Sequence, residues 1–313
     1  MRIVFCGTPE NAVPFLGVCA QAGELIAVVS TPDRPRGRGR KVCPTPVKEW
    51  AEATGVPCLQ PATCRCPEFL ASLRELRPDV LVVVAFGRVL PPEMLAIPRL
   101  AVNVHFSALP QLRGAAPVAR ALQWGFRTTG VAVQLLATEL DAGEILAEQT
   151  VPVRATDDAS SLSRRLAEIG AGLLTQVLED FDRGRLTQAR VQAPVGITRA
   201  PKIGRCDARL LPSKPATLTA WQIRAMSPSP SGYCGLDDRR LKIFRALGVV
   251  REEQTKPDGE VVGGTSAGVI VAWGRQDLLV LRAQQEGGRI LEGTNLIGSH
   301  MLLPGQRVSE EPA

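Results

Sequence analysis

The chain opens on an apolar run, Arg2-Ile-Val-Phe-Cys6, closed by Gly7-Thr8-Pro9. Apolar residues then recur at helical spacing over residues 12–20, and Leu25-Ile-Ala-Val-Val29 forms a second apolar run. Strand, turn, helix, strand is the opening of a βαβ unit and predicts a parallel sheet. The alternation continues with a helix over 46–53 ended by Gly55, a short strand over 56–59, a helix over 67–76 and a central strand over 80–84. Val131-Ala-Val-Gln-Leu-Leu136 predicts a further strand. Leu162, Leu166, Ile169, Leu173, Val177 and Phe181 follow helical spacing behind Thr156-Asp-Asp-Ala-Ser-Ser161, which suits a helix cap. From Gln192 the texture changes to the Pro- and Gly-punctuated run of a linker. Beyond it come a helix over 218–226 and short strands over 241–244, 269–273 and 278–281, the pattern of a small, OB-like β-barrel. The fold class is therefore α/β: a Rossmann-like parallel-sheet domain over 1–192, a linker over 193–215 and a small barrel over 216–313. A length of 313 residues suits two domains.

Charge sharpens the picture. The net charge is +6. Residues 31–48 hold Arg34, Arg36, Arg38, Arg40, Lys41 and Lys48 against Asp33 alone, or +5 of that total. Alternating Arg and Gly between prolines predicts an exposed irregular loop. So concentrated a cluster suits phosphate contact better than solubility alone. The segment 206–313, with 13 basic and 12 acidic residues, is close to neutral and does not by itself suggest nucleic acid.

Several classes fall away. The first turn lacks Gly-x-Gly-x-x-Gly and no Walker A run exists, so a dinucleotide or ATP cofactor is unsupported. Cys64-x-Cys66 is a poor zinc spacing with no second pair to complete it, so no metal is expected. The eight cysteines are scattered, the chain starts at once on a strand, and no apolar run approaches a membrane span. Reduced thiols in a cytoplasmic protein are expected.

The candidate chemistry lies in residues 100–146. Asn103 and His105 are two apart in a Val-flanked run, so in a strand they share a face. Pro110, Gly114 and Pro117 then break the strand into a loop. Asp141 follows the strand at 131–136 and meets the pair if the two strands are neighbours. An amide can donate to an oxygen gaining charge at an attacked carbonyl, an imidazole can move a proton near neutral pH, and a carboxylate can fix the imidazole's tautomer. The plainer alternative makes His105 a core histidine and Asn103 a turn residue. With only two histidines in the chain and this one before a Pro/Gly loop, the chemical reading gains weight. A Ser/His/Asp hydrolase using Ser107 is a rival, though no Gly-x-Ser-x-Gly elbow is present.

The run Asn103-x-His105-x-Ser107-x-Leu109-Pro110-x-x-Arg113-Gly114-Ala-Ala-Pro117, followed by Leu140-Asp141-x-Gly143, resembles the active-site signature of the folate-dependent formyltransferases. The resemblance covers most of the N-terminal domain and extends more loosely through the barrel. It implies an enzyme that uses 10-formyltetrahydrofolate, with Asn103 stabilising the oxyanion, His105 transferring protons and Asp141 tuning His105. Ser107, Ala108, Leu109 and Pro110, with Phe86 and Gly87, would line the folate pocket. The run at Arg34, Arg36, Arg38, Arg40 and Lys41 resembles the family's tRNA-binding insert, which points to methionyl initiator tRNA as acceptor, in translation initiation, with the barrel helping to hold it. A monomer is expected. An amino-sugar-nucleotide formyltransferase, a 10-formyltetrahydrofolate hydrolase and a non-catalytic tRNA binder remain as alternatives. Ala108, Gln111 and Leu112 depart from the family pattern, as do Ser227 and Ser231 in the second domain, and Phe106 replaces a small residue.

Overall fold

The computed structural model describes all residues except 37–40, 187, 251–255, 300 and 312–313, and only the backbone of Arg36. In chain order the first part forms β1 (Arg2–Gly7), α1 (Val13–Ala22), β2 (Glu24–Val29), β3 (Arg34–Arg36), β4 (Lys41–Cys43), α2 (Pro46–Thr54), β5 (Cys58–Leu59), α3 (Pro67–Glu75), β6 (Val80–Val84), α4 (Pro92–Leu95), β7 (Leu100–His105), α5 (Pro117–Gln123), β8 (Thr128–Leu135), β9 (Ile145–Pro152) and α6 (Ala159–Asp182). Seven strands make one sheet in the order β5-β2-β1-β6-β7-β8-β9. The pairs from β5 through β7 are parallel, and β8 runs antiparallel to β7. The fully buried Val80–Val84 run is what a strand covered on both faces requires.

Register fixes where the chemistry gathers. Gly7 pairs with Val84, and Val84 with Val104, so the turns after β1, β6 and β7 leave one edge of the sheet. In open parallel sheets that carboxyl edge is where ligands bind. The Thr8 hydroxyl donates to the Phe86 carbonyl at 3.1 Å, tying the first two turns together.

The face of β7 opposite Asn103 is covered by α6. Its buried residues are Leu162, Leu166, Ala167, Leu174, Val177 and Leu178, with Gly170 among them. This stripe is rotated from the predicted one: Ile169, Leu173 and Phe181 are only partly buried. Gly170 explains the rotation. A Cβ there would stand 3.0 Å from Val131 and 3.2 Å from both Phe15 and Val104, so the helix rests its bare backbone on the sheet. Phe106 fills the same side, edge-on to Phe15 at 6.2 Å between ring centres. Asp158 starts the helix, its carboxylate accepting from the Ser161 amide at 2.7 Å.

The basic segment departs from expectation. Rather than being irregular throughout, Arg34–Arg36 pairs antiparallel with Lys41–Cys43. Pro35 falls opposite Val42. Alternate pairs of an antiparallel ribbon exchange no hydrogen bonds, so a proline without an N–H is tolerated there. The ribbon's base is clamped. Lys48 Nζ meets Asp33 at 2.6 Å, and Gln60 donates to Asp33 at 2.7 Å and to the Thr31 carbonyl at 2.8 Å. The Gln60 and Lys48 hydrogen bonds hold the Asp33 carboxyl below its ordinary range.

The chain divides into two compact units. The first comprises Met1–Pro117, Thr128–Val151 and Ser163–Ala200, and the second Val118–Arg127, Pro152–Leu162 and Pro201–Ala313. The first part of the segment read as a linker is bonded into the first unit: Arg113 donates to Thr198, and Ala200 back to Arg113. The second unit holds α7 (Ala216–Met226), β10 (Gly232–Leu236), β11 (Arg239–Val249), β12 (Val261–Thr265), β13 (Gly268–Trp273), β14 (Gln276–Gln285), β15 (Leu291–Glu292), α8 (Asn295–Gly298) and β16 (Val308–Ser309). Its sheet runs β12-β13-β14-β11-β10-β16, with β15 on β14. A bridge between Glu260 and Arg307, with Val261 donating to Gln306 and Val308 to Gly259, joins the two ends. The sheet therefore curls around a core that includes Leu241, Ile243, Val269, Trp273 and Val280. The Trp273 indole donates to Thr219 of α7 at 2.9 Å, so its one polar atom is satisfied inside the core. Arg120 grips Asp207 through two nitrogens at 2.7 and 3.1 Å, which lowers the Asp207 carboxyl's pKa.

Candidate active site

Asn103, His105 and Asp141 meet. Asn103 pairs with Val83 on one side and Gln134 on the other, and His105 pairs with Ala132. The neighbouring strand is thus the one whose following loop returns Asp141 to the face carrying the pair. Asp141 Oδ1 lies 3.4 Å from Asn103 Nδ2 and 3.5 Å from His105 Nδ1. His105 is only 6% exposed, while Asn103 is half-buried. One N–H of the Asn103 amide points at Asp141, which leaves the second for an incoming oxygen.

The imidazole is held from both sides. His105 Nε2 is 3.0 Å from the Leu112 carbonyl. The Leu112 carbonyl and the Asp141 carboxylate both only accept, so each calls for a hydrogen on the nitrogen that faces it, Nε2 and Nδ1 respectively. Leu112 itself sits at φ 60, an unfavourable conformation for a γ-branched side chain. Its amide is anchored on the Thr198 hydroxyl at 2.8 Å.

A layer of polar groups behind the trio carries no sequence signal as chemistry. Asp141, at φ 54, accepts from the Gly114 amide at 2.7 Å and from Gln134 at 3.2 Å. The Gln192 nitrogen shares its two hydrogens among the Asp141 carbonyl at 2.9 Å, the Gly143 carbonyl at 2.7 Å and the Gln134 oxygen at 3.1 Å. The Gln192 oxygen accepts from Arg113 at 2.8 and 3.1 Å. The one available signal for Gln134 is that it is the lone amide in an apolar strand. Gln192 lies 51 residues from Asp141 and carries no local signature. Gly114 is needed twice over: its φ is 126, and a Cβ would approach the Ala200 carbonyl to 2.7 Å.

The other expected residues divide. Ser107 is buried, and its hydroxyl donates to the Gln111 carbonyl at 2.6 Å, closing the turn that carries Ala108, Leu109 and Pro110. That bond turns the hydroxyl away from the role of a His-activated nucleophile. Leu109 packs on Ala132 and Ile145, whereas Ala108 and Pro110 are partly open. The Phe86 ring is buried in the cluster of Cys6, Val83 and Met94, so its contribution to the edge is its backbone and that of its neighbour. Gly87, at φ 74, has open space where a side chain would stand. Arg34 and Lys41 stand on the ribbon. Arg36 is there by its backbone, and Arg38 and Arg40 lie outside the described residues. No group of metal-ligating side chains occurs among the described residues. No helix among them is long and apolar enough to cross a membrane.

A mainly parallel sheet that brings an amide, an imidazole and a carboxylate together at its carboxyl edge suits group transfer at a carbonyl-type carbon. The chain belongs to the formyl transferase family: residues 1–178 match the formyl transferase model and 202–300 the formyl transferase C-terminal domain. It is 41% identical over 300 residues to a methionyl-tRNA formyltransferase of Xylella fastidiosa strain M12, covering 96% of this chain and 97% of that protein. A methionyl-tRNA formyltransferase of Citrifermentans bemidjiense is 38% identical over 315 residues, covering 100% and 98%. In fold the chain is similar to WlaRD, a sugar 3N-formyl transferase crystallised with dTDP and 5-N-formyl-THF, with TM-score 0.66, 16% identity and coverage of 92% and 99%.

Proposed function

We propose that this protein transfers the formyl group of 10-formyltetrahydrofolate to the α-amino group of methionyl initiator tRNA, for translation initiation. The observation that carries this reading is the intact Asn103, His105 and Asp141 cluster in a chain similar along its whole length to methionyl-tRNA formyltransferases. The folate supplies a formyl carbon already activated for attack by an amine. The second N–H of Asn103 donates to the oxygen that gains charge. His105 carries the proton moved between the incoming amine and the departing nitrogen, and Asp141 holds its ring. The turn of Ser107, Ala108, Leu109 and Pro110, with Phe86 and Gly87, lines the folate side. Residues 1–192 act as the catalytic domain and 216–313 as a tRNA-contacting domain. The protein works as a monomer in the cytoplasm and uses no metal.

The test is a formylation assay with purified protein, 10-formyltetrahydrofolate and charged initiator tRNA, with charged elongator methionine tRNA as control. Rapid formylation of the initiator alone is expected. No turnover by folded protein would overturn the reading, and turnover of an amino-sugar nucleotide instead would reassign the acceptor.

The basic ribbon supplies a second expectation. Replacing Arg34, Arg36, Arg38, Arg40 and Lys41 together with serine raises KM for tRNA while kcat falls little. For every phosphate that the protein no longer neutralises, the slope of log affinity against log salt flattens by about 0.7 to 0.9. A tRNA titration at several salt concentrations measures this, and an unchanged slope would remove the ribbon from the interface. Lys48 is excluded from the set because its charge is committed to Asp33 at 2.6 Å.

A further inference from the structure

The geometry points to Gln192 as a positioning residue for the proposed transfer: it holds the Asp141 backbone so that the carboxylate faces Asn103 and His105. This inference rests on the catalytic role proposed for Asp141 and extends it to a residue outside the signature.

The orientation of the Gln192 amide follows from its partners. The Arg113 guanidinium only donates, so the atom facing it at 2.8 and 3.1 Å is the oxygen. The Asp141 and Gly143 carbonyls only accept, so the atom facing them at 2.9 and 2.7 Å is the nitrogen. A side chain 7% exposed thus makes every bond its amide allows. It joins two separate segments. One is Asp141 to Gly143, through their carbonyls. The other is the Arg113-Gly114 pair, whose Gly114 amide binds the second Asp141 oxygen at 2.7 Å.

Asp141 needs such a clamp. Its φ of 54 is sparsely populated for a residue with a side chain, and such conformations persist only where surroundings impose them. Gln192 binds the carbonyl of this residue directly. It also holds Gln134, which donates to Asp141 Oδ1 at 3.2 Å. Without the donors of Gln192, the Asp141 loop is free to leave this geometry, and Oδ1 leaves the position that serves both Asn103 and His105.

Two substitutions separate this role from general packing. Gln192→Met removes donors and acceptor at similar volume. Gln192→Glu keeps an acceptor for Arg113 and removes the donors to Asp141 and Gly143. Both are expected to lower single-turnover kcat about 10- to 100-fold, the scale of a misplaced catalytic group, with KM for tRNA unchanged. In an Asp141→Asn background, Gln192→Met should lower kcat by less than about 3-fold, because residues acting as a unit are not additive. Wild-type kcat in Gln192→Glu, or the full loss repeated in the Asp141→Asn background, would overturn the inference.

A readout independent of turnover keeps the two proposals apart. In the NMR spectrum the Gly114 amide, bonded to a carboxylate, should move upfield and exchange faster in either Gln192 variant. An unchanged Gly114 signal would overturn the Gln192 inference even in an active enzyme. A wild-type protein that formylates no tRNA would overturn the proposed function while the Gly114 signal still decides the clamp. If Gln192→Met does not fold, Gln192→Glu, which keeps the buried Arg113 paired, carries both measurements.

Discussion

Alanine at Asn103 is expected to lower kcat for formyl transfer by about 10²- to 10³-fold, the usual cost of removing one oxyanion donor, with little change in KM. The stability cost should be small. Asn103 is half-buried, and its side-chain bond to Asp141 is long at 3.4 Å. A hydrogen bond of ordinary strength contributes about 0.5–1.5 kcal/mol, and this one contributes less. The contrast between a large kinetic and a small thermodynamic effect separates a catalytic amide from a turn residue. Asn103→Asp serves as a companion. It places a second carboxylate beside Asp141 and repels the developing charge, so it should be at least as slow. Single-turnover formylation with saturating methionyl-tRNA and a denaturant melt on the same samples measure both quantities. An Asn103→Ala protein with wild-type turnover would remove the oxyanion role.

His105→Ala is expected to lose about 10²- to 10⁴-fold in kcat, the range for a positioned acid–base group. It should also cost stability, unlike Asn103→Ala. His105 is buried, and its removal leaves the Leu112 carbonyl without its partner and Asp141 with one fewer.

The pair at Asn103 and His105 is legible because a strand repeats every two residues, and their common face needs no tertiary knowledge. Asp141 is legible as a candidate because it lies in the short loop that follows an apolar strand able to neighbour theirs. Gln192 and Gln134 are not legible. Their roles come from where a distant segment crosses the loop, and a glutamine in sequence does not say whether its amide will be buried. The stripe of α6 eludes a sequence reading for a similar reason. Leucine spacing predicts a stripe, but Gly170 decides which side of the helix can approach Val104 and Val131. The edge strand β9 escapes notice because Glu148, Gln149 and Thr150 are exposed along it and blur the alternation. In the second unit, glycines at 232, 235, 263 and 264 hide β10 and β12, since glycine carries no strand preference. The composition of the basic segment identifies its charge and says nothing of its pairing.

Gly143 offers the second large effect, and here geometry rather than chemistry is at stake. Its backbone is not left-handed, so the requirement is space. A Cβ would overlap the Leu135 carbonyl oxygen. That oxygen cannot yield cheaply. Leu135 pairs with Val102 in the sheet, its amide binds Glu144 at 2.9 Å, and Leu136 binds Ala101 at 2.9 Å. The strand is therefore fixed, and the loop from Asp141 to Glu144 has to move instead. Gly143→Ala is expected to cost about 1–3 kcal/mol, as overpacking of a fixed interior does. Because the displaced residue lies two positions from Asp141, kcat should fall about 10²-fold with it, on the scale of a 1 Å misplacement. KM for tRNA should not change, since the ribbon belongs to a different part of the chain. Gly172→Ala is the control: that glycine lies exposed in α6 with nothing within 4 Å of an added Cβ. There alanine should stabilise by about 0.5–1 kcal/mol through helix propensity and leave kcat alone. If Gly143→Ala proved as stable and as fast as wild type, the loop would have a second way of presenting Asp141, and its single arrangement around Asn103 and His105 would not be what transfer requires.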